Sequence, residues 1–388
     1  MRAYRWSIRT AALALVLVCA GATAPPRAGT ITRLGSPQQG GVWLPLHRGG
    51  RQVVATAVPA SARRQWPGSY FEGRFRGPAV DLAIGPGEVA LAIRIDALPP
   101  TRLVRPAPGL YRVAAGSPVR PHRIRVDVVS ESQAGSTVFV GIRARSGTRP
   151  LAPPAPRRRQ IEFIGDSHTV GYGNASRTRD CSTDEVWRTT DTRRGLPGEL
   201  SRRYDADYQV NAISGRGMVR NYDGFAAATL PQAYPYALLD GGTPDRTTGW
   251  HPDVVVIGLG TNDFSTPLKP GERWPTRAAL HADYEDTYAA FVNGLRRRHP
   301  RALIVVWATD MADGEIAAEA RRVVDRLRTS GDRRVAFAVV EGLGFGGCHA
   351  HPDQADDRRI ADALARAIDG HRHALRRPEM ISMRPRRR

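Results

Sequence analysis

Lysine is all but missing from this 388-residue chain: Lys269 stands alone, and a formal charge of +20 rests on arginine. The arginines are scattered, with short clusters at 157–159, 296–298 and 386–388, and no basic stripe interleaved with aromatics occurs. Nucleic acid is therefore not expected as a partner, and the arginines are read as a solvated surface. Long apolar runs are missing too, apart from residues 11–19. These follow Arg2, Arg5 and Arg9 and lead into small residues at 20–24. A basic region, a short apolar core and a small-residue site make a signal peptide over residues 1–24. The core is too short to span a bilayer, and bulky Val18 before Cys19 speaks against a lipid anchor. The expectation is a secreted or periplasmic protein without a membrane anchor. Cysteine is scarce: past the leader only Cys181 and Cys348 remain. In an oxidising compartment they either pair or stay as buried thiols. If they pair, they pin two loops together. Metal-ligand spacing is absent, because His349-x-His351 has no further ligands near it. No metal and no cofactor is expected.

What is present divides in two. Over residues 30–147, short apolar runs at 42–46, 53–58, 69–75, 80–84, 89–95, 110–113, 122–129 and 137–142 are separated by Gly and Pro. Ile124, Val126 and Val128 alternate with Arg125 and Asp127, as in a half-buried strand. This pattern predicts a β-sandwich, with Trp43, Trp66, Tyr70, Phe71 and Tyr111 in its core. A Pro- and Arg-rich linker is expected over 148–159. Residues 160–375 then alternate strand-like runs (161–164, 208–213, 254–259, 302–307, 335–340) with helical patterns. Tyr284, Tyr288, Phe291 and Leu295 lie on one helical face, and Ile360, Leu364 and Ile368 on another. That is an α/β domain with a doubly wound parallel sheet of about five strands. Residues 376–388 read as a basic disordered tail.

Four segments follow strands of the second domain: Gly165-Asp166-Ser167, Ser214-Gly215, Gly260-Thr261-Asn262-Asp263 and His349-Ala350-His351. The carboxyl ends of parallel strands converge on one crevice. A serine, close-approaching glycine amides, an asparagine amide and a histidine are the parts of acyl transfer: nucleophile, oxyanion donors and base.

In order and in kind, Gly165-Asp166-Ser167, Gly215, Gly260-x-Asn262-Asp263 and His351 resemble the four blocks of the SGNH (GDSL-type) hydrolases. More narrowly, residues 161–174 (IEFIGDSHTVGYGN), 214–221 (SGRGMVRN) and 347–352 resemble the carbohydrate esterase family 2 acetyl(xylan) esterases, which place a jelly-roll domain before the hydrolase. The resemblance implies Ser167 as nucleophile, His351 as base, and an oxyanion hole from the Ser167 and Gly215 N–H groups and the Asn262 amide. It implies a secreted esterase that removes acetyl groups from carbohydrate through an acyl-serine. Its partner would be an acetylated polysaccharide; a monomer is the default. The chain departs from the hydrolase pattern at one point: position 348 is Cys where an Asp three residues before the histidine is usual. Some members of the esterase family work as a Ser–His dyad, and a loop carbonyl from Ala350 or Cys348 is expected to orient the ring here. His349 as base, a GDSL-type lipase or thioesterase, and a glycan-binding protein with a decayed site are the alternatives. Trp250, Phe264 and Trp274 are candidates to line a sugar site, with core packing the competing reading.

Overall fold

A computed structural model describes residues 27–35 and 40–371. The expected leader and the basic tail lie outside these residues. Between Ile31 and Leu151, the described residues form thirteen strands (β1–β13) in antiparallel sheets of seven and six strands. In the six-stranded sheet, β6 (Tyr70–Arg76) pairs with β11 (Pro121–Val128). Ile124, Val126 and Val128 point into the sandwich core with Phe71, Phe75 and Ile93.

The other face of β11 differs from the expectation. Arg125 and Asp127 are also buried, at 9% and 3% exposure. An alternating strand normally offers its polar face to water; here the second domain covers it. Further differences are local: the run expected over 42–46 is a strand only at Val42–Trp43, and strands not expected lie at Ile31–Leu34, His47–Gly49, Ala62–Arg64 and Thr101–Val104. The run expected over 53–58 is a strand only at Val53–Val54. The linker read from 148 begins with β13 (Arg149–Leu151), which pairs with β6 at the sheet edge. Pro150 is tolerated there because an edge strand has one row of unpaired amides.

The second domain has five parallel strands: β14 (Arg159–Gly165), β15 (Ala206–Ala212), β16 (Val254–Gly258), β17 (Leu303–Thr309) and β18 (Val335–Val340), in the order β15-β14-β16-β17-β18. Its helices are α1 (Ser167–Val170), α2 (Thr183–Thr189), α3 (Leu196–Tyr204), α4 (Leu230–Ala233), α5 (Thr261–Phe264), α6 (Arg277–Arg298), α7 (Glu315–Thr329) and α8 (Gln354–Gly370). Successive strand residues face opposite sides. Ile164, Val255, Ile257, Ile304 and Val306 therefore pack against Tyr284, Tyr288 and Leu295 of α6 and Val323 and Leu327 of α7. Phe163, Val210, Val254, Val256 and Val305 pack against Leu200 of α3 and Ile360, Leu364 and Ile368 of α8. Each face has its helices, as double winding requires.

The two domains share a core and an ion network. Trp66 packs within the α6–α7 side of the second domain and Tyr70 within the α3–α8 side. Gly68 lies between them at φ +72°, and a Cβ there would sit 2.6 Å from Val210 Cγ2. Beside this contact, Glu72 accepts from Arg123 and Arg125 at 2.8 Å and from Arg157 at 3.2 Å. Asp207 of β15 accepts from the Tyr70 hydroxyl at 2.5 Å and Arg157 at 2.9 Å. Burial alone would raise the Glu72 carboxyl, but Arg125 and Arg157 outweigh it and hold it down to about 2.

Removing Glu72 leaves buried Arg125 only Asp127 and Arg157 only Asp207 and Asp205, so Glu72→Ala should destabilise the protein by up to about 3–5 kcal/mol. Because the folded value lies below the unfolded one, this stability is full above the ordinary carboxylate range and is lost as pH falls towards 2. Denaturant melts from pH 7 down to 2.5 check both points. Glu72→Ala should start lower and show less loss on acidification than the wild type.

Candidate active site

The strands bring the blocks level. Gly165 is paired with Ala212 on one side and Gly258 on the other, so three loops leave the sheet from one line. After Gly165 the chain turns into α1, whose N-cap is Asp166; its side chain accepts from the His168 N–H at 3.0 Å. Ser167 is thus the first helical residue. Its N–H has no intrahelical partner, as at any helix start. Among the described residues neither the Ser167 N–H nor the Gly215 N–H donates to another group. Gly215 follows β15 at φ +81°, a left-handed conformation that glycine adopts without strain.

His351 Nε2 lies 2.9 Å from Ser167 Oγ. Its Nδ1 faces the Cys348 carbonyl at 2.9 Å and the His349 carbonyl at 3.2 Å. Both are acceptors, so Nδ1 must carry the proton and Nε2 is the acceptor for the serine hydroxyl. The carbonyls stand where a carboxylate would be expected; Ala350 is not among them. Burial pulls the imidazole below its ordinary range, against the two carbonyls that raise it. Tyr172 flanks the ring, with centroids 4.5 Å apart, and His168 meets it edge-on. His349 turns elsewhere: its Nε2 lies on the Cys181 carbonyl at 2.9 Å and its Nδ1 on the Tyr172 hydroxyl at 3.1 Å. The ring that faces Ser167 is that of His351, not His349.

Asn262 is the second residue of α5, which begins after a two-residue turn from β16. Its Nδ2 lies 2.9 Å from the Arg216 carbonyl and 3.2 Å from Asp166 Oδ2. Next to it, Asp263 accepts from the N–H groups of Met218, Val219 and Arg220 at 2.9, 2.8 and 2.9 Å. Burial pushes Asp263 up to about 6 against these bonds and Asp166 up to about 7. Asp263 therefore ties the third block to the loop of the second.

Cys181 and Cys348 are disulfide-bonded, with Cα atoms 5.5 Å apart across 167 residues of sequence. The bond joins the loop before α2 to the loop bearing His351. On the other side of that histidine, Asp353 caps α8 by accepting from the Ala355 and Asp356 N–H groups at 2.7 and 3.0 Å. Ser167, Gly215, Asn262 and His351 thus come to one place, with the Cys181–Cys348 bond three residues before the histidine.

The aromatic candidates do not join them. Phe264 is core, at 2% exposure. Trp274 donates to Asp283, and Trp250, ahead of β16 at the opposite sheet edge, donates to Glu162. Besides Tyr172, the ring at the site is that of exposed Phe225, whose Cε1 a Cβ on Gly215 would meet at 3.2 Å; exposed Tyr222 donates its N–H to the Gly215 carbonyl at 2.9 Å. Sequence reading passed over them, although both follow the second block within ten residues. It also gave Asp263 no role, though it adjoins Asn262. Asn174 closes the first block, and its Nδ2 donates to buried Asp357 of α8 at 2.8 Å, a pairing no spacing rule would find. Among the described residues no cluster of His, Cys, Asp and Glu is arranged to hold a metal ion, and no helix is long and apolar enough to cross a membrane.

Residues 49–154 match the family described as carbohydrate esterase 2 N-terminal, and residues 163–374 the GDSL-like lipase/acylhydrolase family. An acetylxylan esterase / glucomannan deacetylase of Cellvibrio japonicus (strain Ueda107) is 41% identical over 324 residues, covering 83% of this chain and 89% of its own. Among solved structures, a carbohydrate esterase described as having divergent catalytic and non-catalytic binding functions superposes with a TM-score of 0.79 at 39% identity, over 85% of this chain and 98% of its own. A family two carbohydrate esterase from Clostridium thermocellum in complex with cellohexaose gives 0.75 at 26% identity, over 85% and 100%.

The disulfide yields a test. Reduction, or Cys181→Ser, should lower kcat by about 10- to 100-fold through misplacement of the imidazole, with KM little changed. Turnover after complete reduction, verified by thiol titration, is the measurement; an unchanged kcat would show that the loop holds without the bond.

Proposed function

The chain belongs to carbohydrate esterase family 2, a two-domain group of carboxylic ester hydrolases, and from that premise we propose that it is an exported serine esterase removing acetyl groups from carbohydrate. The observation that carries the mechanism is the 2.9 Å contact of His351 Nε2 with Ser167 Oγ, with Nδ1 turned to carbonyl oxygens. The acetyl group and the polysaccharide are supported by the names of the relatives. The exposed ring of Phe225 beside Gly215 supports a sugar face, since aromatic planes pack against pyranose C–H surfaces. Export is supported by the charged and apolar pattern of residues 1–24.

The chemistry runs in two halves. His351 Nε2 takes the Ser167 proton as Oγ bonds to the ester carbonyl carbon. The negative charge that develops on the carbonyl oxygen meets the Ser167 and Gly215 N–H groups and the Asn262 amide. The longer Asn262 contact, to Asp166, is the one an oxyanion displaces. Collapse breaks the carbon–oxygen bond to the sugar, and His351 returns the proton to the leaving hydroxyl. Water, deprotonated by the same nitrogen, then releases acetate and restores Ser167. In a triad a carboxylate stabilises the imidazolium. Here the Cys348 and His349 carbonyl dipoles do so, and burial keeps the ring neutral to lower pH.

Wild type and Ser167→Ala assayed on p-nitrophenyl acetate and a longer acyl ester decide the reading. The expectation is fast acetyl hydrolysis, slower long-chain hydrolysis, and none of either in the variant. Retained activity in Ser167→Ala would sink the mechanism, and a preference for the long chain would move the protein to the lipases. Asn262→Ala should reduce kcat by about 100- to 1000-fold. His351→Ala should approach the Ser167→Ala level while His349→Ala keeps most activity; the reverse order would reassign the base. The base must be neutral, so kcat/KM should be full above the His351 pKa and fall on acidification through a value below about 6.5, the ordinary imidazole value. A pH–rate profile with an acid limb above that value would contradict the burial argument.

A further inference from the structure

The sandwich reaches the oxyanion loop through one turn, residues 129–136, between β11 and β12 (Thr137–Ala144). Glu131 Oε2 accepts from the Ser214 N–H at 2.9 Å, and Gln133 Nε2 donates to the Ser214 carbonyl at 3.1 Å. Both main-chain polar groups of Ser214 are thus held by side chains of the other domain. The carbonyl gripped by Gln133 belongs to the same planar peptide as the Gly215 N–H. In a trans peptide the C=O and N–H point in opposite directions. Fixing the oxygen from the sandwich side therefore aims the Gly215 N–H away from it, and a hydrogen bond at the oxygen also polarises that N–H. Gly215 needs such restraint, because a glycine at φ +81° has no side chain to limit its rotation. Burial raises the Glu131 carboxyl, which is the mark of a group drawn out of water.

We propose that Glu131 and Gln133 are positioning residues of the hydrolytic reaction: a clamp from the β-sandwich that orients the Ser214–Gly215 peptide towards the oxyanion. This gives the first domain a part in turnover. It rests on the serine-esterase reading above. Neither residue touches the reacting atoms, so the loss should fall on kcat and leave KM alone.

The test compares Glu131→Ala, Glu131→Gln, Gln133→Glu and the Glu131→Ala/Gln133→Ala double variant on p-nitrophenyl acetate, with Ser167→Ala alongside. Glutamine at 131 keeps an oxygen to accept the Ser214 N–H, so Glu131→Gln should stay within about threefold of wild type. Gln133→Glu exchanges a donor for an acceptor facing a carbonyl and should be slow. The double variant should lose about 10- to 100-fold in kcat, part of what deleting an oxyanion donor outright removes, with KM within twofold. Amide hydrogen exchange over residues 212–217 should quicken in the double variant and in Gln133→Glu, and not in Glu131→Gln. Kinetics within twofold of wild type in the double variant, equal losses in Glu131→Gln and Glu131→Ala, or a change confined to KM would each overturn the proposal. If the double variant does not fold, Gln133→Glu at an exposed position decides alone. Hydrolysis that persists in Ser167→Ala would fell the esterase mechanism instead, and the exchange data would then say whether the clamp exists.

Discussion

Gly165 pairs with Ala212 and Gly258 in a parallel register, and the whole site depends on that alignment. Three consecutive positions in space mark the ends of three strands far apart in sequence. A slip of one residue would turn every side chain of a strand to the other face. Ile164, Val210, Val255 and Val256 would then meet the wrong helices, so the apolar alternation that builds the core also fixes the height at which the loops depart. Ser167, Gly215 and Asn262 come level because hydrophobic burial forbids any other register. Their finer placement is polar. Asp263 draws in the backbone of residues 218–220, Asp353 caps the helix behind His351, and the disulfide holds the loop in front of it.

Where the sequence was legible, a periodicity or a short-range rule stood behind it. The five parallel strands, the helix ending at Arg298 and the helix ending at Gly370 all follow from apolar spacing and its terminators. The meeting of Ser167 with His351 follows from block order at strand ends. Illegible were the features made by pairs distant in sequence without a pattern of their own. The Cys348 carbonyl was one of two expected under the imidazole, but that the His349 carbonyl joins it in place of Ala350 depends on the turn at His349, with φ +52°. Nothing in Glu131 or Gln133 marks them as neighbours of Ser214. The strand at Arg149–Leu151 was hidden because proline reads as a breaker, and only the place at a sheet edge makes it acceptable.

The arginines instruct in another way. Composition suggested a solvated cationic surface, and part of it is that. Yet Arg51, Arg64 and Arg220 are buried at 1, 1 and 2% exposure. Arg220 forks onto Glu272 with Nε and Nη2 at 2.6 and 2.8 Å, Nη2 also donates to the Pro267 carbonyl and Nη1 to Thr266, and Arg51 lies over the Tyr234 ring, 4.6 Å from its centroid. A planar guanidinium has donors in fixed directions and a face that stacks, so it can be satisfied in places where an ammonium cannot. A chain with one lysine has turned its cations into internal fasteners, and net charge is a poor guide to what they touch.

Arg157 bears on how such a protein can change over generations. It sits on the chain that joins the two domains, and its fork holds Glu72 of the first and Asp207 of the second. Genetic exchange tends to cut and rejoin genes at such joints, treating the pieces on either side as interchangeable parts. Here a cut at the joint would leave Asp207 and the neighbouring Tyr208, whose hydroxyl accepts from Arg125 at 3.3 Å and whose ring lies 5.0 Å from that of Tyr70, facing whatever new neighbour arrived. The two halves are matched: a hydrolase half transplanted beside a foreign partner would carry an unanswered charge in its wall.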